Sequence, residues 1–342
     1  MADASRLRQW LRDLPKAELH VHLEGSVPPA LAMQLAERNG VLLPGSEKGL
    51  EGLTEAYTFR NFNDFLRLYV AISKCFVGEE DFRDAVLGVA ERFAQSGIAY
   101  AEVTFTPMTH VQRGVDADAM LAGLEAGRIA AREEHGVEFA WVFDIVRCFP
   151  EQSDPTLALA LRGRDQGVVA LGIGGPENDE LPTEPFVDVF AKARAEGLRA
   201  VPHAGEQRGA QGVREAVELL HADRVGHGVR AVEDPSVVEL LIERGVPLEV
   251  CPGSNLKLGV APSLEAHPLR ELAEAGVAFS LASDDPALFQ LDLVDEYLSL
   301  ARAYGWGPQR LFELACAALE HSFLPDEKRR ELRGRMQKCQ PC

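Results

Sequence analysis

Short, almost wholly apolar runs alternate along the chain with longer segments in which apolar residues recur every three or four positions. The runs are AELHVHL (17–23), YAEVTFT (100–106), FAWVFDIV (139–146), VVALGIG (168–174), GLRAVPHAG (197–205), DRVGHGV (223–229), PLEVCPG (247–253) and VAFSLASDD (277–285). Most are apolar throughout, which predicts strands buried on both faces, as in a parallel sheet. Between them, DFRDAVLGVAERFAQSG, DADAMLAGLEAGRIAAREEHG, EPFVDVFAKARAEG, GVREAVELLHA, DPSVVELLIERG and HPLRELAEAG have helical spacing. Several end in glycine just before the next strand, a usual helix stop. Eight strand–helix units predict an α/β fold, the (β/α)8 TIM barrel; a doubly wound open sheet would more often show fewer strands.

The helical segment from about 28 to 98, between the first and second strands, is too long for a simple crossover and is read as a cap inserted over the barrel mouth. The chain from about 291 onward also reads as helical. With no linker and no internal repeat, residues 1–342 are read as a single domain.

Composition narrows the partners. Hydrophobic residues at 46% and charged residues at 26% fit a globular protein with a sizeable core and argue against disorder. A formal net charge of −18 disfavours nucleic acid and anionic membranes as partners, so an anionic substrate would need a local cation. The six cysteines are scattered; Cys339 and Cys342 make a CxxC by count only and are read as part of a frayed tail. The polar start, MADASRLRQW, lacks a signal peptide's apolar core, and no apolar stretch is long enough to span a bilayer. A reduced, cytoplasmic protein is expected.

Polar residues fall where buried strands should not carry them. His20 and His22 lie two apart in the first strand and share a face. His203 ends the fifth run, His227 the sixth, and Asp284 and Asp285 the eighth. In a barrel these ends converge on the face that carries active sites. An HxH pair alone is common in cores, and an Asp-Asp before proline is commonly a turn; their joint order is not explained by packing. Three imidazoles and a carboxylate suit one divalent ion per subunit, Zn2+ by preference with Fe2+ as the alternative. His20, His22, His203 and Asp284 are the expected ligands. The ion would lower the pKa of a bound water. His227 is left as a base or orienting group, and Glu206, just past the fifth strand, as a general acid.

PKAELHVHLEGS, VPHAGE, RVGHG, VCPGSN, SDDPALF and the tail AALEHSFLPDEKRREL together resemble the adenosine deaminase family, in that family's order, from Pro15 to about Arg335. The resemblance implies a (β/α)8 barrel with one catalytic zinc held by His20, His22, His203 and Asp284. It implies that Glu206 protonates ring nitrogen 1 of a purine and that His227 positions and helps deprotonate the attacking hydroxide. Asp285 would hydrogen-bond ring nitrogen 7, and the Gly175 N–H would face ring nitrogen 3. The expected substrate is a small purine nucleoside, its 6-amino group replaced by oxygen with release of ammonia.

Departures from the family pattern bear on the substrate. Adenosine-specific members read HLDG, where the aspartate helps hold the ribose 5′-hydroxyl; this chain reads HLEG, with Glu24. Gly172 replaces the aspartate of DLAGDE, and Ala282 the asparagine before the Asp-Asp pair. HLEG occurs in adenine deaminases and in 6-aminodeoxyfutalosine deaminases of menaquinone synthesis. The GGPE, VPHAGE and DDPALF spellings look closer to the latter, whose substrate carries a benzoate. Arg147, at the end of the third strand, is the expected partner for such a carboxylate, with a surface ion pair as the alternative. Phe62 and Phe65, in FRNFNDFLRLY, are expected to cover the nucleoside, with the core of the cap as the alternative. Two rivals remain: another metal-dependent amidohydrolase, which commonly has a bridging lysine near the fourth strand that is missing here, and a degenerate barrel kept for binding.

Overall fold

The computed structural model describes the backbone of residues 2–59 and 62–341 and the side chains of 4–59 and 64–341. Eight parallel strands follow in sequence order: β1 (Lys16–His22), β2 (Ile98–Phe105), β3 (Glu138–Val146), β4 (Val168–Gly174), β5 (Arg199–Ala204), β6 (Val225–His227), β7 (Leu248–Val250) and β8 (Phe279–Leu281). Each pairs with the next, and helices alternate with them, which is the expected TIM barrel.

The ring closes through the segment after β8. Asp284 N–H donates to His20 O at 3.0 Å and His22 N–H to Asp284 O at 2.8 Å. β8 therefore stops earlier than the apolar run suggested, at Leu281, and Asp284 joins β1 as a single bridge. Closure of the barrel and placement of Asp284 are one event.

Every strand is buried on both faces, and the outward side chains join one continuous apolar core with the helices. Inside the barrel, Val142, Ala170 and Val201 form a separate small cluster with Phe323.

The inserted region is shorter than 28–98. Helices Pro29–Asn39, Gly49–Ala56 and Phe62–Ser73 form the insertion. Helix Glu79–Gln95 leads into β2 and packs on helix Ala117–Ala130, so it belongs to the barrel's outer ring. Gly123 and Gly127 make that contact close: a Cβ at Gly123 would lie 2.3 Å from Glu79 O, and one at Gly127 2.6 Å from Val86 Cβ. The C-terminal region is helical as expected. Up to Cys339 the tail is docked rather than frayed, because Trp10 Nε1–H donates to Cys339 O at 2.8 Å; Cys342 lies outside the described residues. No helix among the described residues is long and apolar enough to cross a membrane.

Candidate active site

Alternation along β1 sends His20 and His22 into the barrel and Leu19 and Val21 into the surrounding core. β5 brings His203 beside them, and the turn after β8 brings Asp284. His22 Nε2 lies 3.2 Å from His203 Nε2. Asp284 Oδ1 lies 3.3 Å from His22 Nε2 and 3.6 Å from His20 Nε2. Ligand bonds of 2.0–2.1 Å in a tetrahedron put donor atoms about 3.4 Å apart, so the three spacings suit one zinc-sized ion. His20 Nε2 is buried and has no hydrogen-bond partner, as a ligand nitrogen aimed at a cation should. His227 and Cys251 offer overlapping donor groups, but their short contacts lie elsewhere.

Three of the four candidate ligands, His20, His203 and Asp284, are held from behind. Glu249 Oε2 accepts from His20 Nδ1–H at 2.8 Å, which fixes the tautomer that leaves Nε2 free. Glu249 Oε1 in turn accepts from Arg224 Nε–H at 2.5 Å, and Arg224 also pairs with Glu102. His203 Nδ1–H donates to Ile173 O at 2.9 Å. Ser254 Oγ–H donates to Asp284 Oδ2 at 2.6 Å. Glu18 accepts from Ser283 N–H at 3.3 Å and Oγ–H at 2.9 Å, which anchors the Asp-Asp turn. Asp284 and His227 take left-handed backbone conformations, φ 62° and 57°, strain that non-glycine residues tolerate mainly at functional sites.

His227 carries a tautomer that can be read outward from a backbone N–H. Leu269 N–H donates to His267 Nδ1 at 3.1 Å, so His267 Nε2–H donates to Asn255 Oδ1, also at 3.1 Å. The Asn255 amide N–H then faces His227 Nδ1 at 3.4 Å. His227 Nε2 is left with the hydrogen, 3.9 Å from Glu206 Oε2. Burial pushes the His227 imidazole down to about 3, so it is neutral.

Among the described residues, three carboxyl oxygens at the site are buried without a partner: Glu206 Oε1, Asp285 Oδ1 and Asp144 Oδ1. Burial first, then the Asp284 and Glu177 charges, pushes Glu206 up to about 8. Burial and the adjoining Asp284 also hold Asp285 well above the ordinary carboxylate range. Glu206 is therefore largely protonated at neutral pH and can donate. Gly25 is required here: a Cβ on it would lie 1.6 Å from Asp285 Oδ1.

Gly175 follows β4 with φ 92°. Glu24 is fully buried; its Oε1 accepts from His110 Nε2–H at 2.8 Å and its Oε2 from Tyr69 O–H at 3.2 Å. Phe65 stacks on Phe289 at 5.3 Å and continues through Tyr69 toward His22 as an aromatic wall. The side chain of Phe62 lies outside the described residues. Arg147 directly follows β3, but it is 5% exposed; its Nη2–H donates to His203 O at 2.6 Å and sits 3.8 Å from Glu177 Oε1.

Sequence reading missed Asp144, Glu177, Glu249, Asn255 and His267. Asp144 and Glu249 each left a signal, a single acid inside the apolar runs FAWVFDIV and PLEVCPG. Asp144 Oδ2 lies 3.7 Å from His203 Nδ1, and Asp144 occupies space that Gly172 leaves open, where a Cβ would lie 1.9 Å from Asp144 Oδ1.

The profile of the family described as adenosine deaminase matches residues 15–339. An adenine deaminase of Rhodospirillum rubrum is 40% identical over 96% of this chain and 97% of its own. An aminodeoxyfutalosine deaminase of Streptomyces coelicolor is 39% identical over 93% of this chain and 82% of its own. The crystal structure of an adenine deaminase from Arthrobacter aurescens superposes with a TM-score of 0.89 at 32% identity, covering 95% of this chain and 98% of that one.

Proposed function

Because the chain belongs to the adenosine deaminase family, we propose that it replaces the 6-amino group of a purine nucleoside by oxygen and releases ammonia. One observation carries the reading: four ligand-type donors converge in the barrel mouth, and a buried, partnerless carboxyl oxygen of Glu206 lies in the same cavity.

His20, His22, His203 and Asp284 would hold one divalent ion, Zn2+ by donor preference and Fe2+ as the alternative. Bound there, the ion supplies the Lewis acidity that makes hydroxide available at neutral pH. The chain's own residues do the rest. Glu206 donates its proton to ring nitrogen 1, which makes carbon 6 electrophilic. Asp285 hydrogen-bonds ring nitrogen 7, and the Gly175 N–H donates to ring nitrogen 3. His227 donates Nε2–H to the oxygen that adds to carbon 6, the orienting half of the role expected from sequence. The adduct's hydroxyl proton passes by way of the Glu206 carboxylate to the amino group, which leaves as ammonia; the 6-oxo purine remains, and the proton that water gave up in becoming hydroxide restores Glu206. The burial of His227, Asp285 and the Glu206 Oε1 atom strengthens these hydrogen bonds.

For the substrate we assign a nucleoside, adenosine or 6-aminodeoxyfutalosine. The Streptomyces coelicolor relative supports this. So do Glu24 and Tyr69 beside His22, hydrogen-bonded to each other, as the polar groups a sugar hydroxyl would meet. Phe65, and by its place in the sequence Phe62, would cover it. Free adenine is the second reading, favoured by the Rhodospirillum rubrum relative. A substrate benzoate would reach Arg147 only by competing with Glu177 and His203 O.

Ammonia release from adenosine, 6-aminodeoxyfutalosine and adenine by the metal-loaded protein tests both levels. A nucleoside is expected to lead. Preference for adenine would overturn the nucleoside assignment, and no release from any of them would overturn the deaminase reading. Glu206→Gln is expected to lower kcat by roughly 10²–10⁴-fold while metal content stays unchanged.

A further inference from the structure

We propose that Glu177 is the positioning residue for Glu206: its carboxylate binds the backbone of the loop that carries the acid and so fixes where the acid points. This rests on the reading of Glu206 as the proton donor. Glu177 Oε1 accepts from Gly205 N–H at 3.0 Å. Its Oε2 accepts from Glu206 N–H at 2.8 Å, Gln207 N–H at 2.9 Å and Arg208 N–H at 3.3 Å. Four consecutive backbone donors thus converge on one side chain.

Such convergence needs a left-handed residue at the head of the loop, and Gly205 supplies it with φ 70°. No larger residue fits, since a Cβ would lie 2.4 Å from Val213 Cγ2. A concavity of this kind ordinarily binds an outside anion. Here the anion comes from the loop after β4. Glu177 is 6% exposed, and its charge is balanced by Arg147 at 3.8 Å. The same guanidinium donates to His203 O, so one arginine ties the carboxylate to the strand that carries a metal-type ligand.

The cradle is stitched a second time. Thr183, also from the loop after β4, donates to Glu215 Oε2 at 2.7 Å, and Glu215 receives the Arg208 guanidinium at 2.5 and 3.0 Å. With its amide fixed, Glu206 has little freedom beyond its own rotamers. A displacement of about 1 Å at such a group costs roughly 10²-fold in rate. Removing the carboxylate would leave four N–H groups aimed at nothing. A glutamine would offer one acceptor oxygen and set an NH₂ against the remaining donors.

The test measures turnover of Glu177→Gln in the wild-type and Glu206→Gln backgrounds, together with backbone amide exchange. On adenosine and adenine, Glu177→Gln is expected to lower kcat roughly 10²-fold, with KM moving far less and metal content unchanged. In the Glu206→Gln background it is expected to cost nothing further, because a positioning residue has no effect once the group it positions is gone. Exchange at 205–208 is expected to accelerate while that of the barrel strands holds. Wild-type kcat in Glu177→Gln, or the same fractional loss in both backgrounds, would overturn the proposal. If Glu206→Gln alone kept wild-type turnover, the acid assignment itself would fail. The exchange arm would then judge the cradle separately, with unchanged protection at 205–208 counting against it.

Discussion

At the scale of single residues, the site is a set of side chains whose useful atoms are chosen by partners behind them. His20 shows this most clearly. Glu249 takes its Nδ1 hydrogen, and Arg224 orients Glu249. Glu249→Gln can present an N–H to Nδ1 and so favour the wrong tautomer. Metal affinity, measured by competition with a chelator, is expected to fall 10–100-fold; an unchanged affinity would show that Glu249 serves the core alone. The motif residues were legible because each lies in a contiguous block at a strand end. The roles of Glu249 and Asn255 were not, although the residues sit in the quoted block VCPGSN or next to it, because their partners are His20 and His267 and no spacing encodes such pairs. Arg147 was readable as a cation at a strand end. That an internal carboxylate already faces it could be seen only once the loop after β4 was in place.

At the scale of elements, the apolar runs predicted the strands well because burial on both faces leaves few alternatives to continuous hydrophobicity. The short final strands were overextended: VAFSLASDD was read as one run through Asp285, whereas the backbone turns after Leu281 to meet β1. Helix Glu79–Gln95 was assigned to the cap because periodicity reports an apolar face but not the face it meets. Its contact with helix Ala117–Ala130 depends on two glycines. Gly123→Ala should gain up to about 1 kcal/mol of helix propensity. Against this, the new Cβ would meet a backbone oxygen at 2.3 Å, which no rotamer change relieves. Overpacking of this kind costs about 1–3 kcal/mol, so net destabilisation is expected in urea unfolding. A variant as stable as wild type or more so would mean that the helices separate freely.

At the scale of the whole molecule, the barrel buries charge well away from its active site, and this gives stability a pH dependence of its own. Lys16 at the start of β1 is fully buried, donating to Leu11 O and to Leu14 O. Burial, only partly opposed by Asp292 and Asp13, pushes its ammonium from 10.5 down to about 7. Between those two values the unfolded chain keeps a proton that the folded chain has released. This group's contribution to stability therefore increases as pH rises from about 7 toward 10.5, by at most about 1.4 kcal/mol per unit. Unfolding midpoints taken across that range should show a smaller alkaline gain in Lys16→Met than in wild type. Parallel curves would place the titration elsewhere.

The central claim is that His20, His22, His203 and Asp284 hold one ion without which the purine is not deaminated. The most direct measurement strips the protein with a chelator and follows ammonia release as Zn2+ is returned in known amounts. The account predicts activity rising linearly and levelling at one equivalent per chain. Full turnover in the stripped protein, or a plateau at two equivalents, would contradict it.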